Sequence, residues 1–108
     1  PLRFHPGETE YFQIRFKTTG CETDADKTPR VVLEYYYTKD GVYGYATDVV
    51  GSYSLKNGEY QTVTIPLTES FKTAGEILCF GIRFQHIKST NGSVNIDYIA
   101  IGQSHELP

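Results

Sequence analysis

Arg30-Val31-Val32-Leu33-Glu34-Tyr35-Tyr36-Tyr37-Thr38-Lys39-Asp40-Gly41-Val42-Tyr43-Gly44-Tyr45-Ala46-Thr47 is the stretch that decides the fold. Two runs rich in β-branched and aromatic residues flank Asp40-Gly41. A two-residue hairpin turn with positive φ at both central positions favours the dipeptide Asp-Gly. With Asp40 and Gly41 as the turn, Lys39 faces Val42, Thr38 faces Tyr43, Tyr37 faces Gly44, Tyr36 faces Tyr45 and Glu34 faces Thr47. Opposed residues share one side of a sheet. One side then carries Tyr35, Tyr37, Val42, Gly44 and Ala46, where small partners leave room for bulky rings, and this side suits a core. The other carries Glu34, Tyr36, Thr38, Tyr43, Tyr45 and Thr47, which sets three tyrosines toward solvent. A longer loop would shift the register and undo this assignment.

Period-two alternation continues on both sides of the hairpin. Tyr11 to Thr19 reads as a strand with Phe12, Ile14 and Phe16 on one face and Tyr11, Gln13, Arg15 and Lys17 on the other. Further strands are expected over Tyr60 to Leu67, Ile77 to Ile87 and Val94 to Gly102. Leu78, Phe80, Ile82 and Phe84 are in phase on one face of the Ile77 strand, so Arg83 and Gln85 face the other way. Thr68 to Glu76 has room for one short helical turn. A two-residue loop at Asn91-Gly92 would set His86 opposite Asp97 and Phe84 opposite Ile99, whereas a crossing between sheets at this point would not.

Six such strands predict an all-β domain of two packed antiparallel sheets, a β-sandwich, with a five- or six-stranded barrel as the alternative. Phe and Ile are expected to fill the core and Tyr its margins. Val, Ile, Thr, Tyr and Phe make up 42 of the 108 residues and Ala, Leu and Met only 10, a balance that excludes a helix bundle. The chain reads as one domain over residues 1–108, ordered over about 8–102, with partly ordered tails at Pro1 to Gly7 and Gln103 to Pro108. Its first residue is a proline with no leader segment, so an excised or processed piece of a larger chain is expected.

The net charge of −3 and the scattered Lys and Arg give no basic surface for nucleic acid. No apolar stretch is long enough to span a membrane. Cys21 and Cys79 allow one disulfide, but Cys21 is expected in a loop and Cys79 within an apolar strand, which favours two free thiols. The residues show no nucleophile elbow, phosphate loop or zinc-protease motif, and a small sandwich offers little cleft for a pair of catalytic carboxylates. No enzymatic activity is expected.

Tyr11-Phe12-Gln13-Ile14-Arg15-Phe16-Lys17-Thr18, Gly58-Glu59-Tyr60-Gln61-Thr62-Val63 and Val94-Asn95-Ile96-Asp97-Tyr98-Ile99-Ala100-Ile101-Gly102 carry a resemblance. The chain from Tyr11 to Gly102 resembles the jelly-roll, galactose-binding-like carbohydrate-binding modules attached to bacterial glycoside hydrolases and cell-surface proteins. The resemblance implies a jelly-roll sandwich, no catalysis, an extracellular or cell-surface setting and often a structural calcium ion. It is more specific for fold than for ligand. Many such modules stack sugars on tryptophan, and this chain has none.

The candidate ligand residues are Tyr36, Tyr43 and Tyr45, possible companion Tyr53, and the polar Glu34, Arg83 and Gln85. Sugars present C–H patches that stack on aromatic rings and hydroxyls that need hydrogen-bond partners. Against this, tyrosine is a common strand residue that also simply covers sheets, and Arg83 and Gln85 also fit an ordinary solvated face. The metal candidates are Asp24 and Asp26 in the loop Glu22-Thr23-Asp24-Ala25-Asp26, and Asp97, near Glu8 or Glu10, between the first and last strands. Lys27 stands where a calcium loop would have glycine, and a solvated acidic loop is the simpler reading. His5, His86 and His105 are too dispersed to suggest zinc. Asn91-Gly92-Ser93 fits a glycosylation sequon, though a turn explains Asn-Gly equally. The leading expectation is a non-catalytic module that binds a polysaccharide or other glycan. The alternative is a structural or adhesive module that contacts protein or spaces other domains.

Overall fold

The computed structural model describes residues 3–5, 7–89 and 91–108. The chain forms β1 (Tyr11–Thr19), β2 (Glu22–Thr23), β3 (Arg30–Lys39), β4 (Val42–Ser52), β5 (Tyr60–Pro66), α1 (Glu69–Lys72), β6 (Glu76–Gln85), β7 (Ile87–Lys88) and β8 (Ser93–Gly102), then a 3₁₀ turn at Ser104–Glu106. The strands make two three-stranded antiparallel sheets, ordered β5-β1-β8 and β4-β3-β6, and a two-stranded ribbon of β2 with β7. The two larger sheets pack as an all-β sandwich.

The hairpin register follows from the turn. Asp40 and Gly41 sit at φ 53° and 79°. Lys39 pairs with Val42, Thr38 with Tyr43, Tyr37 with Gly44, Tyr36 with Tyr45 and Tyr35 with Ala46. The ring of Tyr37 lies over Gly44 so closely that a Cβ there would stand 2.2 Å from its Cζ. The expected pairing of Glu34 with Thr47 fails, because a bulge sets Thr47 and Asp48 together opposite Glu34. It brings the Asp48 carboxylate to the Tyr35 hydroxyl, which donates to Oδ1 at 2.7 Å, while the Thr68 hydroxyl donates to Oδ2 at 3.0 Å.

Asn91-Gly92 is not a hairpin turn. The chain crosses between the sheets there, and β8 pairs with β1 rather than β6. Phe84 therefore pairs with Val31 and not with Ile99, and His86 does not face Asp97. The β2–β7 ribbon clamps this crossing to the loop after β1.

The core joins the inner rows of both sheets: Phe12, Ile14 and Phe16 from β1, Val31, Leu33 and Tyr35 from β3, Val49 from β4, and Val63 and Ile65 from β5. Phe71 of α1 seals one end, edge-on to Tyr35 at 4.7 Å and to Phe4 at 5.2 Å. Thr68 caps this single turn by accepting from the Phe71 amide. Tyr35 is fully buried, so tyrosine also occupies the centre of the core and not only its margins. Burial and the adjacent Asp48 push its phenol well above the usual range.

The described parts of the tails are tied down. The His5 amide donates to Glu10 at 2.7 Å, and the Gln103 side chain donates to Glu8. Pro1, Leu2 and Pro6 lie outside the described residues. Cys21 is a buried free thiol and Cys79 an exposed one.

Candidate functional site

The outer face of the β4-β3-β6 sheet gathers the expected ligand residues. Cross-strand pairing sets Tyr45 beside Tyr36 and Tyr36 beside Cys79 in one row, Glu34 beside Gly81 in the next, then Val32 beside Arg83, and Arg30 beside Gln85. Tyr36 and Tyr45 meet at 4.8 Å between ring centroids, tilted by 46°. They are 50% and 48% exposed, and Tyr43 at the hairpin end is 79% exposed. Arg83 Nη1 lies 3.0 Å from Glu34 Oε1. The Tyr45 phenol is raised above its ordinary range, first by desolvation and then by the negative charge of Glu34, with Arg83 opposing. A Cβ on Gly81 would stand 4.0 Å from Glu34 Oε2, so no side chain of β6 crowds the carboxylate in that row.

Gln85 shares this face but is engaged, accepting from Arg30 Nε at 2.6 Å. Tyr53 does not join the cluster. It packs edge-on against Phe16 at 5.0 Å, and its buried hydroxyl has no hydrogen-bond partner among the described residues. Burial, with Cys21 nearby, pushes its phenol up to about 12. Cys79 is the member of the face that the sequence pattern did not suggest. It was legible only as part of an apolar strand, and its outward position follows from pairing with Tyr36.

The outer face of the β5-β1-β8 sheet differs. Its polar groups satisfy one another: Tyr98 donates to Gln13 at 2.8 Å and Gln13 to Thr64 at 3.0 Å. Arg15 stacks on the Tyr60 ring at 4.3 Å and pairs with Asp97 at 2.7 Å. A bulge at Asp97 on β8 sits at this point. Nothing in the sequence pattern pairs Tyr60 with Lys17 and Arg15, because no short turn fixes the β1–β5 register.

Asp24, Asp26 and Asp97 do not converge. Asp97 is held by Arg15, and among the described residues no three His, Cys, Asp or Glu side chains stand close enough to share a cation. His5 and His105 do come to one cleft, of about 340 Å³, with Glu8, Glu10 and Glu106. Its carboxylates are already used. Glu10 accepts from the His5 amide, Glu8 from the Gln103 side chain and Glu106 from the Gln103 amide. His86 lies elsewhere, at φ 66°, with Nδ1 2.9 Å from the Thr28 carbonyl. Among the described residues, no helix is long and apolar enough to cross a membrane.

No family model matches the chain, and no curated protein or solved structure matches it.

Proposed function

We propose that the chain is a non-catalytic module that binds a glycan on the outer face of the β4-β3-β6 sheet. The observation that carries this reading is the exposed Tyr36–Tyr45 ring pair with Glu34 and Arg83 one and two rows away. The rings offer stacking surfaces for sugar C–H faces, and the carboxylate and guanidinium offer an acceptor and donors for hydroxyls. The other outer face supports the reading less well, since Arg15 and Lys17 lie over its Tyr60 ring. Few groups would contact a hydrated ligand, so binding would be weak. The jelly-roll carbohydrate-binding resemblance points the same way and brings with it an extracellular setting within a larger chain. The metal part of that resemblance finds no converging carboxylates among Asp24, Asp26 and Asp97.

Affinity electrophoresis through gels containing plant, host or microbial polysaccharides tests the proposal. The chain is expected to be retarded by at least one of them. Tyr36→Ala and Tyr45→Ala should abolish the retardation and Tyr60→Ala should leave it unchanged. No retardation on any gel, or full retardation of both face variants, overturns it.

A further inference from the structure

The sandwich is closed along one side and open along the other. β4 lies against β5 on the closed side. On the opposite side are β6 and β8, each paired with one strand only among the described residues. Their inner rows are apolar: Phe80, Ile82 and Phe84 from β6, with Leu78 beside them at a bulge, and Val94, Ile96, Ile99 and Ile101 from β8. These rows should be core, yet Leu78 is 48% exposed, Phe80 45%, Ile96 47% and Ile99 38%. Phe84 and Val94 flank a cleft of about 290 Å³ at one end of this side. Exposed strand edges are normally blunted by charged side chains, above all lysine, by proline, by inward-pointing charge or by a bulge, and the run Cys79–Gln85 has no bulge. Neither β6 nor β8 carries Lys or Pro, and no charged residue sits in either inner row.

We propose that this open side is a docking site for an extended strand of another polypeptide, apolar and uncharged at alternate positions, which adds to β6 along Cys79–Gln85. The area argues for this occupant over a second copy of the chain. At ~150–200 Å² for side chains of this size, the four half-exposed residues leave on the order of 300 Å² uncovered. A stable dimer needs about 800 Å² on each partner, so a second copy laid on this patch falls short. An added strand gains what side chains alone do not, a ladder of backbone hydrogen bonds to an unpaired edge, while its alternate side chains cover Phe80, Ile96 and Ile99. β6 is the docking edge because its run beyond the Leu78 bulge is unbroken, whereas the bulge at Asp97 interrupts β8. The inference is independent of glycan binding on the outer face.

The probe is a capped peptide of about ten residues alternating Ile and Thr between terminal lysines, with a control carrying proline at two central positions. Amide hydrogen exchange of the intact chain is followed with each. The alternating peptide is expected to slow exchange along 79–85 and to bind more than about tenfold tighter than the proline control. Phe80→Lys and Ile96→Lys should each weaken it by a similar factor, while Tyr36→Ala should not. Equal binding of the proline peptide, protection on β4 in place of β6, or self-association of the chain that excludes the peptide would each overturn the proposal. The comparison of the two peptides on the unmodified chain decides the matter even if a lysine variant fails to fold.

Discussion

Tyr35 and Phe80 are cross-strand partners on the inner face of one sheet, yet Tyr35 is fully buried and Phe80 is 45% exposed. Ile14 and Ile99 repeat the contrast on the other sheet, at 0% and 38%. Within each pair the side chains are of similar size and point to the same interior. The difference is lateral position: one partner lies on the middle strand of its sheet, the other on an edge strand with no further strand beyond it among the described residues. On the closed side the edges meet so tightly that a Cβ on Gly51 of β4 would stand 2.6 Å from Ile65 Cγ1 of β5. The Asp48 carboxylate joins Tyr35 to Thr68 on the same side. Inward orientation is therefore not burial, and the half-exposed residues of the open side are expected to contribute less to stability than their partners on the middle strands.

The largest expected effect tests that statement directly. Tyr35→Ala removes a fully packed ring and should lower unfolding free energy by about 3–5 kcal/mol in urea titrations. Phe80→Ala should cost no more than about 1 kcal/mol, because the ring already meets solvent over much of its area. Equal losses would mean that the two sides are packed alike, which breaks the comparison. Next comes Gly51→Val. Ile65 must shift to admit it, and overpacking of this kind costs about 1–3 kcal/mol. A neutral result would show that the closed side has slack.

A smaller effect, of opposite sign, comes from Tyr53. Its buried hydroxyl lacks a partner among the described residues, so Tyr53→Phe should stabilise the chain by about 1 kcal/mol at neutral pH. The pH dependence has a definite direction. The folded-state phenol titrates near 12, above the ordinary 10, so the fold holds the proton more tightly than the unfolded chain does. That contribution is complete below pH 10 and disappears as pH rises from 10 toward 12. The variant lacks it, so its advantage over the parent should widen in that window. An advantage that stays constant or narrows would show that the phenol is ordinary.

The legible part of this molecule is the part set by local chemistry. Asp40-Gly41 fixed the hairpin register from Lys39 to Tyr35, and with it the outward placement of Tyr36, Tyr43 and Tyr45, because a two-residue turn leaves one pairing available. Strand positions followed from alternation, and the helical turn at Glu69–Lys72 followed from the break in it. Bulges were not legible. Two of them, at Thr47-Asp48 opposite Glu34 and at Asp97, answer to partners distant in sequence: Tyr35 and Thr68 for Asp48, and Arg15 for Asp97. Asn91-Gly92 misled because the same dipeptide serves a hairpin or a crossing, and the choice depends on whether β8 finds β1 or β6. The openness along β6 and β8 was equally hidden, since alternation reports which way a side chain points and not what lies beyond it.

The smallest effect is the sharpest test of the open side. Ile96→Thr keeps the β-branched shape that suits a strand and replaces one methyl-bearing arm with a hydroxyl that solvent can reach. In a closed core that hydroxyl would be buried without a partner and would cost several times more than the lost apolar contact. On a side chain already 47% exposed it can bond water, so the change in unfolding free energy should stay within about 0.5 kcal/mol. Fluorescence of an anilinonaphthalene sulfonate dye, which reports uncovered apolar surface, should fall in the variant. The matching change at Ile14, its fully buried counterpart on β1, should destabilise by ~2 kcal/mol or more. If Ile96→Thr proves as costly as Ile14→Thr and the dye signal is unchanged, the β8 row is covered in solution by this chain itself and no strand is needed to cover it.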